Sequence, residues 1–440
     1  MVLANEGFVT DGRSAASNMG MPVLRIVSET IPCECSIKEE ADTGVREAMT
    51  DIVAALCKPL TPEEASPKRK EKENPSRTAF KGQLEEFNRF FYKRGWGDGL
   101  PLVPPTEAAV AEMLSGTDLA PDHVVGKIEP RNGKATVEKI AVNAVMAGAL
   151  PVHMPILLAC VEAVSDPASG LGSYGTSTGS WAPFWIVSGP VRNDARVNCS
   201  SGSMSPGDIA NAAIGRAMAL IIKNIGGARK AVEDMGVYGN PAKYSMVIGE
   251  NEEASPWDPL HVEQGLARGD SAVTLFFPNC YSQIWQYGSD DKGILSTVAY
   301  NLLPGRSGLT CLLMNPHHAK ILSRSGWTKP MIKKYVYDYG RVPAYRHPST
   351  HEGGGWTVKR ADSVAPNPMD AYPILPSPNH LMVLVAGGPG AFMGIAAGSG
   401  FAAGSGSTGA GFVTKKISLP SGWSKLVAKY RSFVPAYEQY

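Results

Sequence analysis

The sequence contains no Cys-x-x-Cys pair and no uninterrupted apolar run of 18 residues. Its seven cysteines are scattered and odd in number, which predicts free thiols in a reducing compartment rather than a zinc knuckle or a dithiol centre. Cys33 and Cys35 form the closest pair, and we expect no disulfide between them. The missing apolar run, together with the lack of a basic-then-apolar start, predicts a cytoplasmic protein with no membrane segment.

An excess of charge of either sign is also absent. The 42 Lys and Arg residues nearly balance the 41 Asp and Glu residues. This balance predicts no general attraction to nucleic acid or to an acidic membrane surface.

Apolar strand-like runs alternate loosely with helical patterns over most of the 440 residues. The pattern predicts an α/β or α+β protein with one main mixed sheet flanked by helices and a small N-terminal strand-helix arm. The predicted strands cover residues 184–189, 244–249, 272–277, 308–314 and 381–386.

Composition divides the chain into four parts. Residues 1–20 are polar and small, and we expect them to be disordered. Residues 21–61 form the strand-helix arm, residues 62–77 a charged linker, and residues 78–440 the main catalytic or binding body. Because the arm cannot bury enough apolar surface alone, it must dock on a partner surface, which predicts a homo-oligomer with the arm at the subunit interface.

The stretch from 198 to 265 carries the sharpest candidates for catalysis. A helix predicted over 208–227, capped by Asp208, leads to a strand and then to Glu250, Glu252 and Glu253. We expect Glu250 and at least one of the other two glutamates to be buried beside a pocket, where one could act as acid or base. The alternative is a solvated acidic turn.

A histidine follows these carboxylates closely. Glu250, Glu252 and His261 together could hold a divalent metal, because carboxylate and imidazole ligands suit Mg, Mn, Fe or Zn.

Two further side chains are catalytic candidates. Cys199 precedes the 208–227 helix, and a thiol near a helix N-terminus can be a nucleophile with a lowered pKa. His318 lies in the first turn of a helix that Asn315 can cap, where a neutral imidazole is favoured and could serve as a base or ligand. A free thiol and a surface histidine are the structural alternatives.

Two glycine-rich loops could bind an anionic ligand or cofactor through backbone amides and hydroxyl groups. The first offers Ser173, Thr176, Ser177 and Thr178, and it lacks the Gly-Lys-Ser/Thr ending of a P-loop. The second offers Gly387, Gly388 and Gly390 after a strand. We expect both loops to converge with Cys199, the three glutamates and His261 at the carboxyl ends of strands. A plain flexible loop is the alternative.

Several blocks of sequence carry a resemblance to a known family. They are Asp98-Gly-Leu-Pro-Leu-Val-Pro-Pro-Thr106, Ala135-Thr-Val-Glu-Lys-Ile-Ala-Val-Asn-Ala-Val-Met-Ala-Gly148, Ile214-Gly-Arg-Ala217, Gly249-Glu-Asn-Glu-Glu253 and Ala386-Gly-Gly-Pro-Gly390. The chain resembles bacterial proteins associated with the UGSC-type redox family, named for a selenocysteine-Gly-Ser-Cys motif. Residues 21–61 look like the end of the UGSC domain, but no Gly-Ser-Cys motif is present. The resemblance therefore implies either that a UGSC-bearing partner protein supplies the redox centre or that this body works without one.

These observations predict a cytoplasmic enzyme that acts on a small polar, anionic molecule. Its reaction would be redox chemistry shared with the UGSC-type partner, or acid/base lyase or hydrolase chemistry. The competing hypothesis is a non-catalytic binding or assembly subunit of a larger complex.

Overall fold

A computed structural model describes residues 1–32, 37–67, 76–304, 308–343, 346, 370–398 and 411–433. The predictions for Cys33 and Cys35 and for half of the charged linker fall outside these residues. The strands are β1 (Val2–Asn5), β2 (Ile26–Glu29), β3 (Val124–Ile128), β4 (Gly133–Thr136), β5 (Phe184–Ser188), β6 (Val247–Gly249), β7 (Ala272–Phe276), β8 (Cys280–Trp285), β9 (Thr310–Met314), β10 (Arg341–Pro343), β11 (Ala371–Pro373), β12 (Leu381–Val385), β13 (Phe392–Ala397) and β14 (Val413–Lys416). The helices are α1 (Val9–Asn18), α2 (Lys38–Cys57), α3 (Pro62–Ala65), α4 (Leu84–Lys93), α5 (Glu107–Leu114), α6 (Val137–Met146), α7 (Met154–Ser165), α8 (Leu171–Tyr174), α9 (Val191–Asp194), α10 (Ile209–Ile221), α11 (Leu260–Glu263), α12 (Asp291–Asn301), α13 (Pro316–Arg324), α14 (Lys329–Tyr339) and α15 (Trp423–Tyr430).

The predicted mixed α/β class is confirmed, but the five predicted strands are divided between two four-stranded sheets rather than gathered in one. The first sheet has the order β14-β7-β5-β6, and the second has the order β12-β9-β13-β8. β5 and β6 are parallel, as are β9 and β12, and the other pairs are antiparallel. Strands that are apolar on both faces do not show which sheet they belong to, so the sequence could not separate the two sheets.

The two sheets pack face to face between two layers of helices. Phe184 and Ile186 of β5 meet Leu313 of β9 in the apolar core between the sheets. Alternate residues of the first sheet, such as Trp185, face α6, α7 and α10. Alternate residues of the second sheet, such as Leu312, face α12, α13 and α14. The period of two along each strand therefore produces a four-layer helix–sheet–sheet–helix sandwich.

All five predicted strands form, but three further strands of the two four-stranded sheets were missed. β8, β13 and β14 complete the two sheets. The segment of β13 reads as a Gly/Ala tract in the sequence, but its small residues allow close packing against β8. A Cβ on Gly394 would lie 3.0 Å from the ring of Tyr281.

The prediction that residues 1–20 are disordered is wrong, because these residues form β1 and α1. β1 pairs in parallel with β2, and this long-range pairing cannot be read from local composition. The hydroxyl of Ser14 on α1 donates to Glu233 Oε1 over 2.6 Å, so this segment docks on the main body of its own chain.

The predicted helix cap at Asn315 forms, but the predicted cap at Asp208 does not. The side chains of Thr106, Thr136 and Asn315 each accept a backbone N–H bond at the start of their helices. Asp208 precedes α10 but makes no such bond, because its carboxylate accepts from Asn198 Nδ2 instead. α10 is therefore tied to the loop before it, which belongs to the candidate site.

α10 also positions β6, because Gly215 packs directly on the segment leading into that strand. A Cβ on Gly215 would lie 2.8 Å from Ser245 Cα and closer still to its hydroxyl oxygen. Arg216 donates to Asp98 over 2.7 Å, which joins two of the blocks that carry the family resemblance.

Gly215→Ala is expected to destabilise the protein by about 1–3 kcal/mol, because the added methyl group must displace the backbone ahead of β6. Chemical denaturation measures the effect. Gly269→Ala is the control, since a Cβ there has nothing within 4 Å. Equal stabilities of the two variants would contradict the close packing.

Among the helices of the described residues, none is both long and apolar enough to span a bilayer.

The carboxyl ends of the two parallel strand pairs meet at one edge of the sandwich. The N–H of Asn251, after β6, donates to the carbonyl of Val385 at the end of β12 over 2.8 Å. The N–H of Gly387, after β12, donates to the carbonyl of Cys199 over 2.9 Å. The loops that follow these strands therefore contact one another, as in other α/β proteins whose ligands bind at strand ends.

Candidate functional site

Glu250 continues the β-ladder one residue beyond β6. Its N–H donates to the carbonyl of Val187 on β5 over 3.0 Å. Since side chains alternate along a strand, Glu250 points to the same side as Ile248, which is part of the core between the sheets. The side chain is 0% exposed. The solvated-turn alternative is thus wrong for this residue.

The buried carboxylate of Glu250 is only partly satisfied. Its Oε2 accepts from the N–H of Leu260 over 2.8 Å, and its Oε1 has no hydrogen-bond partner among the described residues. The nearest cation is Lys329, whose Nζ lies 3.7 Å from Oε1. Burial raises the pKa of Glu250 to about 7, although Lys329 opposes the shift.

His261, on the short helix α11, is 0% exposed. Its Nε2 lies 3.4 Å from the carbonyl oxygen of Arg268. A carbonyl only accepts, so this contact places the hydrogen of a neutral ring on Nε2 and leaves a lone pair on Nδ1. Nδ1 has no hydrogen-bond partner in the described part of the chain, and it lies 3.8 Å from Glu252 Oε1. Two acceptor atoms therefore face each other.

Glu252 is held by the loop after β5. Its Oε1 accepts from the N–H of Gly189 and lies 3.2 Å from Nε of Arg192. The Glu252 side chain is 14% exposed, so it is half-buried beside the fully buried Glu250. That these two carboxylates face a pocket stays a prediction.

Arg192, on α9, is 2% exposed and was missed in the sequence. Its guanidinium also binds both oxygens of Glu253, at 3.0 Å and 3.2 Å. This hydrogen bonding lowers the pKa of Glu253 to about 2. Glu253 is mostly exposed and permanently ionised, which suits an ion pair better than proton transfer.

Glu250, Glu252 and His261 form the one group that could hold a metal within the described ranges. One ligand atom from each lies within 4.8 Å of the other two. Ligand atoms bound at about 2.0–2.2 Å are up to about 4.4 Å apart, so small side-chain movements would suffice. The carbonyl behind His261 fits as well, because metal-binding histidines usually donate their other ring N–H to an acceptor.

Lys329 is the second residue that the sequence did not reveal. It begins α14, and its side chain is 3% exposed. Its Nζ donates to the carbonyl of Asp258 over 2.8 Å and pairs with Glu263. A Lys-Pro pair at the start of a helix gives no sign of burial, because lysines are rarely buried unless paired.

Cys199 lies between this cluster and the loops at the strand ends. Its Sγ is 3.7 Å from Nη1 of Arg192, and its carbonyl accepts from Gly387. Burial raises the pKa of the thiol despite Arg192, which is opposite to the expected lowering. Cys199 therefore lacks the thiolate character of an activated nucleophile.

The second predicted anion loop lines a cavity of about 320 Å³. Gly387, Gly388 and Gly390 form one wall, and the loop at residues 200–205 forms the opposite one. Neither Glu250 nor His261 is among the lining residues.

His318 contributes indirectly to this cavity. Its Nδ1 lies 2.9 Å from Asn315 Nδ2, and Asn315 lines the cavity. Burial lowers the pKa of His318 to about 4, so the ring is neutral, as expected for this position. The side chain itself is 0% exposed rather than on the surface.

The first predicted anion loop does not join the site. Ser173, Thr176, Ser177 and Thr178 precede β5, whereas Gly189 and the glutamates follow the carboxyl ends of β5 and β6. The Thr176 hydroxyl donates to the Gly172 carbonyl, and the backbone of Thr176 and Thr178 accepts from residues 235 and 237. The prediction that this loop converges with the other candidate residues is therefore wrong. Composition alone does not show at which end of a strand a loop lies.

Comparison with known proteins adds no assignment. No family model matches the chain, and no curated protein or solved structure matches it.

Proposed function

We propose that this chain is a divalent-metal-dependent enzyme that acts on a small polar, anionic molecule, with Glu250, Glu252 and His261 as the metal ligands. The observation that carries the proposal is that ligand atoms of these three residues lie within 4.8 Å of one another, while Glu250 Oε1 and His261 Nδ1 have no hydrogen-bond partner among the described residues. Both unpaired atoms belong to fully buried side chains, where an unpaired polar atom costs about 1–3 kcal/mol. Mn, Fe and Zn accept this ligand set.

The surrounding charges support a cation at this position. Four carboxylates, including those of Glu253 and Glu263, face three cations, which are Arg192, Lys329 and Lys333. The carboxylates outnumber the cations by one when all four are ionised. A divalent ion beside Glu250 would favour its ionised form inside a buried region, where ionic interactions are least screened.

The chain's own residues hold the ligands in place. Arg192 and the N–H of Gly189 fix the Glu252 carboxylate, and the Arg268 carbonyl fixes the ring of His261. A bound divalent ion would supply Lewis-acid polarisation and a lower pKa for bound water. Both lyase and hydrolase reactions on an anionic molecule use this chemistry, and we propose that class over a redox reaction. Cys160, Cys199 and Cys311 have pKa values raised by burial, so they do not favour the redox alternative.

Metal titration tests the proposal. We expect the wild-type protein to bind one equivalent of Mn²⁺ or Zn²⁺, measured by calorimetry and elemental analysis after dialysis. His261→Gln should weaken binding at least about 100-fold, because it removes a ligand. The control is His317→Gln, which changes an exposed histidine outside the cluster and should leave the affinity unchanged. Equal affinities of the two variants would refute this assignment.

Turnover distinguishes an enzyme from a non-catalytic subunit. A panel of small carboxylates and phosphate esters, assayed with the loaded protein, should include a compound that is hydrolysed or undergoes elimination only when metal is present. Tight metal binding without turnover of any compound would favour the binding or assembly subunit.

A further inference from the structure

Ser188, the last residue of β5, carries a buried hydroxyl group without a partner. The residue is 0% exposed, and its Oγ has no hydrogen-bond partner among the described residues. Leaving a buried hydroxyl unpaired costs free energy, so such groups in proteins usually bind a protein group, a water molecule or an ion. The surroundings of Ser188 indicate which of these it would bind.

Strand pairing places the Ser188 side chain on the same side of the first sheet as Glu250. β5 and β6 are parallel and pair Ile186 with Ile248, so Ser188 lies beside Glu250 two positions further along. Ile186 and Ile248 both belong to the core between the sheets. Because side chains alternate along a strand, Ser188 and Glu250 point to that side as well.

The next strand and a short helix bring His261 to the same side. β5 also pairs with β7, where Ser188 lies opposite Ala272. α11, which carries His261, contacts β7, and its first residue, Leu260, belongs to the core between the sheets. His261 therefore approaches the side of the first sheet that carries Ser188 and Glu250.

The backbone directly after Ser188 holds Glu252. The N–H of Gly189 donates to Glu252 Oε1, the same oxygen that lies 3.8 Å from His261 Nδ1. The three residues of the metal cluster therefore meet at the carboxyl end of β5, where the Ser188 hydroxyl lies.

We propose that Ser188 is a fourth protein ligand of the metal and binds it through the hydroxyl oxygen. The assignment rests on the proposed function, because the ion is the one held by Glu250, Glu252 and His261. Two carboxylates, an imidazole and a hydroxyl form a mainly oxygen ligand set, which suits Mn²⁺ better than Zn²⁺. Mn²⁺ favours octahedral sites, so coordination positions remain for water or an anionic substrate.

A serine suits this position electrostatically. The hydroxyl offers oxygen lone pairs to a cation while the group stays neutral. It therefore adds a ligand atom without a further negative charge in a region where Glu250 and Glu252 already lie close together.

Cobalt spectroscopy on the full-length protein tests the proposal, because a thiolate bound to Co²⁺ gives a sulfur-to-metal charge-transfer band that oxygen and nitrogen ligands do not give. Ser188→Cys loaded with Co²⁺ should show this band in the difference spectrum against the wild type. Ser165→Cys is the matched control and should not show it. Ser165 Oγ is also buried without a partner in the described part of the chain, but it lies at the end of α7, on the other face of the first sheet.

Metal affinity and stability give a second readout. Ser188→Ala should weaken Mn²⁺ binding at least about 10-fold, because it removes a group that contacts the ion. In EDTA the same variant should unfold at the same urea concentration as the wild type or at a higher one, since its hydroxyl has no hydrogen bond to lose. Ser188→Cys should shift the preference from Mn²⁺ towards Zn²⁺, because thiolates favour the softer ion.

The outcomes separate Ser188 from the metal centre itself. Wild-type binding of Mn²⁺ that His261→Gln weakens and Ser188→Ala leaves unchanged would overturn the role of Ser188 and keep the metal centre. Weaker binding by Ser188→Ala without a new band in Ser188→Cys would also overturn it, because the hydroxyl would then bind a water molecule instead of the metal. Equal bands in Ser188→Cys and Ser165→Cys would do the same. A wild-type protein that binds no metal would overturn both assignments.

Discussion

Replacing Arg192 with methionine is expected to destabilise the protein by about 3–5 kcal/mol, since removing one partner of a buried ion pair leaves the other charge uncompensated. Arg192 is 2% exposed and binds Glu252, Glu253, the Gly189 carbonyl and Cys199 Sγ. Methionine fills much of the volume but donates no hydrogen bond. Urea denaturation at neutral pH measures the loss.

The matched control is Arg268→Met. Arg268 pairs with Asp258, but their side chains are 70% and 60% exposed. Exposed pairs contribute about 0–1 kcal/mol, so this variant should be nearly neutral. The double variant Arg192→Met/Glu252→Gln should recover part of the loss, because it also removes an unpaired charge. A loss below about 1 kcal/mol for Arg192→Met would show that the ion pair does not hold the site together.

Glu250→Gln is expected to stabilise the metal-free protein at pH 8 while abolishing stabilisation by metal. In the folded protein the pKa of Glu250 is raised from 4.5 to about 7. The folded state therefore resists ionisation, and stability is lost as the pH rises from about 4.5 to about 7. Above that range the variant should be more stable than the wild type by about 2–3 kcal/mol, and near pH 4.5 the two should be similar.

Thermal unfolding in EDTA and in excess metal measures both parts. Metal at about 100 times its Kd should stabilise the wild type by about 2.7 kcal/mol and should not stabilise Glu250→Gln. Glu253→Gln is the control, and it should lower the stability instead of raising it. The pKa of Glu253 is lowered in the folded protein, so its charge favours the folded state. A Glu250→Gln variant that metal still stabilises would remove Glu250 from the ligand set.

The sequence was sufficient to identify the candidate site residues that can be recognised from their neighbours along the chain. Glu250 follows an apolar strand, which indicates burial, and His261 lies close enough along the chain to join it. Arg192 gave no signal, because it meets Glu253 61 positions away through the pairing of β5 and β6. Lys329 likewise reaches Glu250 only because α14 packs on the second sheet. The division into two sheets depends on which apolar faces meet, and residue patterns do not specify that.

Other expectations stay predictions. They include the cytoplasmic location, the homo-oligomer formed through residues 21–61 and the UGSC-bearing partner. The docking of Ser14 on Glu233 shows that the N-terminal segment contacts its own chain, and it leaves the subunit interface to be measured.

Anomalous diffraction tests the central claim most directly. Crystals grown with Mn²⁺ and measured near its absorption edge should show a peak about 2.0–2.3 Å from Glu250 Oε1, Glu252 Oε1 and His261 Nδ1. Lys329 should remain paired with Glu263 in that structure. A map with no peak at these three atoms, with Lys329 Nζ instead donating directly to Glu250, would contradict the metal centre.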